Sequence, residues 1–197
     1  MDFLTEHCIF VPVTSELQSS LVRFACAKED KIETFFRSEA LDYADELMGQ
    51  SYAFVDKDTR DIVGAFCVAC ASVSTSEMPK PMRNKLNRNV PYVKQRDTYP
   101  AVLLAQFAVD DKYAELHLGT KILSLIKVWI VKHASKISDR YLIVDAVNTP
   151  KVIDFYTRNG FRLVFATEED ERLHCEMNPE EVLETRFMIY DLKEVKS

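Results

Sequence analysis

The stretch from Tyr99 to Gly119, YPAVLLAQFAVDDKYAELHLG, decides the fold. Its first part, Ala101 to Val109, is a nearly continuous apolar run and predicts a central β-strand covered on both faces. After a charged turn, apolar residues from Leu116 to Ala134 recur at helical spacing, which predicts an amphipathic helix. The next apolar run, Arg140 to Val147, predicts a second strand. The three elements form a β-α-β unit with a right-handed crossover and strands that are parallel or locally splayed.

The chain that follows this unit predicts one more helix and two more strands. Asn148-Thr149-Pro150 is typical of a helix start, because a polar cap precedes a proline at the first helical position. We expect the helix to end at Gly160. Strands are predicted over 161–166 and 185–192, with an acidic loop over 167–181 between them.

The chain before the unit predicts three strands, one long helix and one long loop. The strands cover 8–13, 51–56 and 62–73, and the helix covers 29–47 and ends at Gly49. The proline-rich stretch 74–100 predicts a loop with one short helix over 81–86. Together the elements predict an α/β fold, in which helices cover both faces of a mixed sheet of about seven strands. No domain boundary is visible, so we expect a single domain over 1–197.

The composition excludes several classes of protein. The 197 residues are 47 % apolar and include 12 Phe, 8 Tyr and 1 Trp, so the chain can bury a core and is neither disordered nor collagen-like. The net charge of −6 argues against a general nucleic-acid binder, because such binding depends on Lys and Arg. Only four glycines occur, where average usage predicts about fourteen. Glycine usually brings a backbone close to a phosphate, so this count bears on any phosphate site.

Neither a targeting signal nor a membrane span is recognisable in the sequence. The most apolar stretch is about half as long as a membrane helix, so we expect a soluble, cytoplasmic protein without a membrane partner. Cys67 and Cys70 form a C-x-x-C pair on a predicted strand, where residues three apart point to opposite faces. We therefore expect buried free thiols and no metal site.

Three segments resemble the signatures of the GNAT superfamily of acetyl-CoA-dependent N-acetyltransferases. The strand ending in Ala108-Val109-Asp110 resembles the run that leads into the family's pyrophosphate loop, and Leu118-Gly119-Thr120 resembles the start of its coenzyme helix. Val144 to Asn148, followed by Phe155-Tyr156-x-x-x-Gly160-Phe161, is similar to the second signature, and the match spans about 99–165. Phe24-Ala25-Cys26-Ala27 faintly resembles an element of the toxin-type branch, without its glycine.

The resemblance implies a fold, a cosubstrate and a set of site residues. The fold is a GNAT-like sheet whose central parallel pair splays apart after Phe107-Ala108-Val109, so that these residues bind the pantetheine arm of acetyl-CoA through their backbone. Asn148 would contact the same arm. Tyr156 would lie near the sulfur and, as general acid, protonate the thiolate that leaves when an amine attacks the acetyl group. The pyrophosphate would be bound by the loop and helix start, residues Glu115, Leu116, His117, Leu118, Gly119 and Thr120.

The loop departs from the family pattern Gln/Arg-x-x-Gly-x-Gly/Ala. Only Gly119 agrees, while His117 replaces a glycine and Glu115 brings a negative charge towards the diphosphate. Ordinary structural roles are also open: Tyr156 as a core aromatic, and Asn148 as a helix cap. The sequence identifies no general base.

Two classes of function follow from these residues. We favour an N-acetyltransferase that acts on a primary amine of a small or macromolecular acceptor. The alternative is a GNAT-fold binding or regulatory protein whose loop has lost catalysis. A narrower form of the enzyme is a toxin-type acetyltransferase acting on aminoacyl-tRNA, the one case in which we expect a nucleic-acid partner. The acidic net charge argues against this form, and the basic segment from Lys80 to Arg96 answers that objection only in part. A homodimer is a further open expectation.

Overall fold

A computed structural model describes residues 3–27, 30–76, 78–88, 90–91, 95–133 and 139–195. Seven strands in these ranges form one mixed sheet, in the order β1-β2-β3-β4-β5-β7-β6. The strands are β1 (Cys8–Pro12), β2 (Gln50–Asp56), β3 (Ile62–Ser74), β4 (Thr98–Val109), β5 (Tyr141–Val147), β6 (Arg162–Leu163) and β7 (Thr185–Asp191).

The α-helices connect these strands, and short 3-10 turns lie at Ser15–Leu17, Asp111–Leu116 and Leu192–Val195. The helices are α1 (Phe3–His7), α2 (Gln18–Leu21), α3 (Asp30–Thr34), α4 (Ala40–Asp45), α5 (Lys80–Asn87), α6 (Gly119–His133), α7 (Pro150–Arg158) and α8 (Glu168–His174). The predicted mixed sheet of about seven strands is confirmed.

One neighbouring pair of strands, β4 and β5, runs parallel, as the β-α-β unit predicts. Its register pairs Ala101 with Tyr141 and ends at Leu103 opposite Ile143. We expected the strands to part only after Phe107-Ala108-Val109, so the parting comes earlier than predicted. Residues 105–109 are half-buried rather than buried, and the prediction that this strand is covered on both faces is therefore wrong over its second half.

The chain divides into two compact units. The first consists of Met1–Cys70 with Leu104–Leu123, and the second of Ala71–Leu103 with Ser124–Ser197. Each has an apolar core of its own, built around Phe24 and Phe36 in the first and around Tyr141 in the second. A single domain over 1–197 stays a prediction.

The long helix predicted over 29–47 is interrupted. A π-helical turn, Phe35–Glu39, separates α3 from α4, and it buries Phe35 and Phe36 with their rings edge to face at 5.3 Å. The extra residue per turn brings two successive aromatics into one core. The helix also ends differently from the prediction: Leu47, not Gly49, takes the left-handed conformation, with φ 57°.

Two further boundaries differ from the prediction. The helix expected from Leu116 begins at Gly119, because a 3-10 turn precedes it and His117 is left-handed. The region predicted as an acidic loop contains α8. Thr167 caps this helix by accepting from the Asp170 N–H, and the four acidic residues of the first turn suit the positive end of the helix dipole.

A buried ion pair joins α8 to β7. Arg186 Nε lies 2.5 Å from Glu171 Oε2, and Glu171 Oε1 accepts from the Phe187 N–H. The Arg186 side chain also donates to the Phe165 carbonyl at 3.0 Å. Every partner in this network is satisfied, which is what a buried charge pair requires to be tolerated.

The two cysteines of the C-x-x-C pair do not converge. Cys67 is buried, as predicted, whereas Cys70 is exposed, so the predicted burial is wrong for Cys70. The ranges that the structure describes hold no group of three or more side chains arranged to bind a metal ion. Within the same ranges, no helix combines the length and apolar character that crossing a bilayer demands.

Candidate coenzyme site

A glycine in β3 sets how closely the elements around the end of β4 approach. A Cβ atom on Gly64 would lie 2.8 Å from the Ile122 side chain and 3.2 Å from the Ala108 carbonyl oxygen. No side chain fits there, so β3 can lie close both to Ala108 and to the first turn of α6. The predicted pantetheine-binding residues Phe107, Ala108 and Val109 are half-buried here, which leaves part of each accessible.

Asp110, the last residue of the first signature, fixes the turn after β4. Its carboxylate accepts from the Ala25 N–H at 2.8 Å and from the Lys112 N–H at 2.9 Å. Its own N–H donates to the Val63 carbonyl at 3.0 Å. Asp110 is buried, so two backbone amides depend on it for a partner. Its role here is structural, and we did not predict it from the sequence.

The same turn holds the segment that faintly resembles the toxin-type element. The Asp111 N–H donates to the Ala25 carbonyl at 2.9 Å, and the Asp111 carboxylate accepts from the Ala27 N–H at 2.8 Å. From the other side, Glu33 accepts from the Cys26 N–H at 2.8 Å and Arg37 donates to the Phe24 carbonyl. The turn at the end of the first signature and the segment that resembles the toxin-type element are therefore joined directly by hydrogen bonds.

His117 holds the conformation that a glycine would hold in the family pattern. Its φ and ψ are 51° and 39°, in the left-handed region, and its N–H donates to the Ala114 carbonyl at 3.2 Å. Histidine enters this region more readily than most residues, and the conformation costs about 1 kcal/mol. The loop therefore keeps a glycine-like backbone without the glycine.

The other predicted loop residues differ in their exposure. Glu115, Leu116, His117 and Thr120 are exposed, whereas Leu118 is buried and Gly119 half-buried. The Leu118 carbonyl accepts from the Ile122 N–H, so Leu118 caps α6. The first turn of α6 carries no acidic residue, which keeps the positive end of its dipole suited to an anion.

Lys112 lies in the turn after β4, and its side chain forms an ion pair with Asp61. Its ammonium lies 2.5 Å from Asp61 Oδ2, and this hydrogen bond holds the pKa of the Asp61 carboxyl below its usual value. Arg23 lies 3.1 Å from the other carboxylate oxygen of Asp61. The Lys112 ammonium is therefore already paired with a carboxylate at this loop.

Tyr156, the predicted general acid, is buried in the second unit with 7 % of its surface exposed. Its ring makes edge contacts with Phe155 and Phe161, with centroids 5.2 Å away in both cases. Burial raises the pKa of its hydroxyl above the usual value, so the group stays protonated at neutral pH. The hydroxyl has no hydrogen-bond partner among the residues the structure describes.

The spacing of Tyr156, Gly160 and Phe161 has a physical cause in the way α7 ends. The Phe161 N–H donates to the Tyr156 carbonyl at 3.0 Å and the Gly160 N–H to the Thr157 carbonyl at 2.9 Å, which is the Schellman pattern. Gly160 is left-handed with φ +85°, as this pattern demands. Phe161 on Tyr156 is the apolar contact that accompanies it, and this end of the helix is confirmed as predicted.

Asn148 is neither a free ligand-binding amide nor the cap of α7. Its Nδ2 donates to Glu168 Oε1 at 3.0 Å and to the Leu183 carbonyl at 2.9 Å. Thr149 caps α7 instead, by accepting from the Val152 N–H. The contact with the pantetheine arm stays a prediction. Because Nδ2 already donates twice, a contact through the side chain would use Oδ1.

The predicted site residues divide between the two units. The first unit holds the strand end and the whole loop, from Phe107 to Thr120, whereas Asn148 and Tyr156 lie in the second. Sequence reasoning missed the Asp110 clamp, whose only signal was the aspartate that ends the first signature.

No protein-family model matches the chain. A curated relative, the tRNA-acetylating toxin of Mycobacterium tuberculosis, is 29 % identical over 135 residues, which are 68 % of this chain and 74 % of the relative.

Several solved structures share the fold at low identity. A mutant of KacT superposes with a TM-score of 0.72 at 17 % identity and covers 97 % of this chain and 98 % of its own. AtaT complexed with acetyl-methionyl-tRNA has a TM-score of 0.71 at 15 % identity and covers 96 % and 97 %. AtaTR bound with acetyl-CoA has a TM-score of 0.67 at 15 % identity and covers 97 % of both chains.

These comparisons confirm the predicted resemblance to the GNAT superfamily with its toxin-type branch, and with it the fold. The relative is named as a tRNA-acetylating protein and AtaTR was solved with acetyl-CoA, so these proteins have the enzyme class and the cosubstrate that the sequence predicts for this chain. The roles of individual site residues stay predictions.

Proposed function

We propose that this chain transfers the acetyl group of acetyl-CoA to the α-amine of an aminoacyl-tRNA. The observation that carries the proposal is its similarity to the tRNA-acetylating toxin over two thirds of the chain. AtaT, which shares the fold, was solved with an acetylated methionyl-tRNA. This choice narrows the general N-acetyltransferase prediction to one class of primary amine.

The distribution of charge supports an RNA acceptor despite the net charge of −6. Six lysines and arginines lie between Lys80 and Arg96, and this segment contains no acidic residue. Lys80, Lys85 and Arg88 at α5 are exposed. Cations separated from the acidic residues in this way suit a phosphate backbone, and such contacts weaken as salt rises.

No general base has been assigned in this chain, and the chemistry of the acceptor amine fits a reaction that needs little help from one. An α-amine has a pKa near 8, so a substantial fraction is neutral at physiological pH and can attack without strong base catalysis. The amine nitrogen forms a bond to the acetyl carbon, the carbon–sulfur bond breaks, and the electron pair leaves on sulfur.

The residues of this chain supply binding and a proton. In the proposed site, the backbone from Phe107 to Val109 binds the pantetheine arm, and amides of the loop from Glu115 to Thr120 bind the pyrophosphate. The raised pKa of Tyr156 keeps its hydroxyl protonated, so the group donates a hydrogen bond to the developing thiolate and delivers the proton as the sulfur leaves. The acceptor nitrogen loses the proton that restores Tyr156.

The decisive experiment measures CoA release from acetyl-CoA with aminoacyl-tRNA as acceptor. We expect release only with charged tRNA, together with an acetylated aminoacyl group detected by mass spectrometry after digestion. Deacylated tRNA and the free amino acid are the matched controls. Release with small amines and none with charged tRNA would favour the general N-acetyltransferase. No binding of millimolar acetyl-CoA in calorimetry would favour the binding or regulatory protein.

Tyr156→Phe tests the proposed general acid. We expect turnover to fall by about 10²-fold while the Kd for acetyl-CoA changes little, because the hydroxyl acts on the leaving sulfur and not on the bound ground state. Phe155→Leu, one residue away on the same helix, is the control for packing. Unchanged turnover in Tyr156→Phe would remove the residue from the reaction and leave it as a core aromatic.

A further inference from the structure

A buried lysine from α6 reaches the end of the helix that carries Tyr156. Lys127 has 7 % of its surface exposed, and its ammonium donates to the Asn159 carbonyl. The same ammonium lies 3.9 Å from the centroid of the Tyr190 ring and 5.1 Å from that of Phe161. Lysine is almost never buried to this degree without a partner, so these contacts call for an explanation.

The hydrogen bond from Lys127 provides a donor to a backbone carbonyl at the end of α7 that the Schellman pattern does not satisfy. The Schellman pattern satisfies the carbonyls of Tyr156 and Thr157, but the carbonyl of Asn159 lies beyond its reach. A cation at this place also interacts favourably with the negative end of the helix dipole. Lys127 therefore completes the turn on its far side.

The contacts of Lys127 lead to Tyr156 in one step. The Phe161 ring, which the ammonium approaches on one side, packs edge to face on Tyr156, and the Phe161 N–H bonds the Tyr156 carbonyl at 3.0 Å. Tyr190 packs on Phe161 at 5.5 Å and approaches Gly160 closely. An ammonium on two aromatic faces restrains both rings and, through Phe161, the tyrosine.

We propose that Lys127 is a positioning residue, which holds the turn from Asn159 to Phe161 and thereby aims the Tyr156 hydroxyl at the leaving sulfur. The inference rests on the general-acid role of Tyr156 in the proposed function. A lysine that only filled space would be replaced by an apolar residue of the same volume without loss, whereas a positioning lysine is needed for the rate.

The lowered pKa of the Lys127 ammonium agrees with a lysine that is retained for its contacts. Burial lowers the pKa of its ammonium to about 8, and the charge of Glu194 opposes that shift. Glu194 is itself paired with Arg162 at 2.7 Å. The site therefore holds the ammonium at a cost, which a methionine of similar length would avoid.

The test separates rate from binding and from folding. In Lys127→Met we expect kcat for CoA release to fall at least tenfold, because a displacement of about 1 Å in a reacting group is costly, while the Kd for acetyl-CoA and the melting temperature stay close to those of the parent. Lys127→Arg keeps a cationic donor and should recover most of kcat. If Tyr156→Phe is impaired but Lys127→Met keeps an unchanged kcat, the proposal is overturned.

Two further measurements keep the outcome decisive. If Lys127→Met fails to fold, Lys127→Leu takes its place, since it also removes both the hydrogen-bond donor and the charge, and the same loss of kcat is expected. Ring-flip rates of Tyr156, measured by NMR on tyrosine-labelled protein and assigned with Tyr156→Phe, should rise in the variant; unchanged rates would contradict positioning. If Tyr156→Phe has full turnover, the general-acid role has failed instead, and the flip rates still report whether Lys127 restrains the ring.

Discussion

Two turns of this molecule each depend on one left-handed residue, yet one uses histidine and the other glycine. His117, after β4, has φ 51° and is exposed to solvent. Gly160, after α7, has φ +85°, and a Cβ atom there would lie 3.0 Å from the Tyr190 ring. In the proposed site, the first turn would present its backbone to the pyrophosphate, and the second would position the Tyr156 side chain.

This difference explains what the low glycine count implies for the loop after β4. An exposed loop can adopt a left-handed backbone with histidine, because the side chain has room and the conformational cost is modest. A turn packed against an aromatic ring cannot, because a Cβ atom would add a steric cost to the conformational one. The count of four glycines does not by itself indicate a lost phosphate loop, since His117 adopts the left-handed conformation without a glycine.

Gly160→Ala should have the largest effect on this comparison. Its positive φ and the approach of the new Cβ to Tyr190 should together lower the free energy of unfolding by about 3 kcal/mol, as measured by urea denaturation. Thr157→Ala, exposed on the same helix, is the control and should change it by less than about 0.5 kcal/mol. A Gly160→Ala protein as stable as the parent would show that the two turns tolerate side chains equally.

The sequence predicts the fold well where local patterns decide it. The strand predicted over 62–73 is Ile62–Ser74, and the one predicted over 51–56 is Gln50–Asp56, because apolar runs between turn residues carry the information themselves. The end of α7 is equally local: tyrosine, glycine and phenylalanine at this spacing specify a Schellman turn. In α8, the Thr167-x-x-Asp170 cap is a local signal that we overlooked beneath the acidic composition.

The site is less predictable because its parts depend on contacts that are distant in sequence. Asp110 fixes the loop through the Ala25 amide, 85 residues away, and Lys127 reaches Asn159, 32 residues away. No period or spacing reveals such pairs. The left-handed state of His117 is similar, since only the clamped turn before it makes that conformation necessary.

Asp110→Ala should have the next largest effect, confined to the first turn. Removing the carboxylate leaves the Ala25 and Lys112 amides without their acceptor, so we expect a loss of about 2 kcal/mol of unfolding free energy and a weaker Kd for acetyl-CoA. Asp111→Ala is the matched control, because its carboxylate is exposed and accepts from one backbone amide, that of Ala27, among the residues the structure describes. Equal losses in the two variants would contradict the buried clamp as the feature that shapes the loop.

His117→Gly should have the smallest effect and the opposite sign. Glycine removes the cost of a left-handed side chain but adds freedom to the unfolded chain, so we expect a gain of at most about 1 kcal/mol in unfolding free energy. The Kd for acetyl-CoA, measured by calorimetry, should stay within about threefold, because backbone amides rather than the imidazole bind the pyrophosphate. His117→Asn, which also accepts the left-handed region, should behave alike. A tenfold weaker Kd in both variants would mean that the imidazole itself contacts the coenzyme, and the first turn would then resemble the second in relying on a side chain.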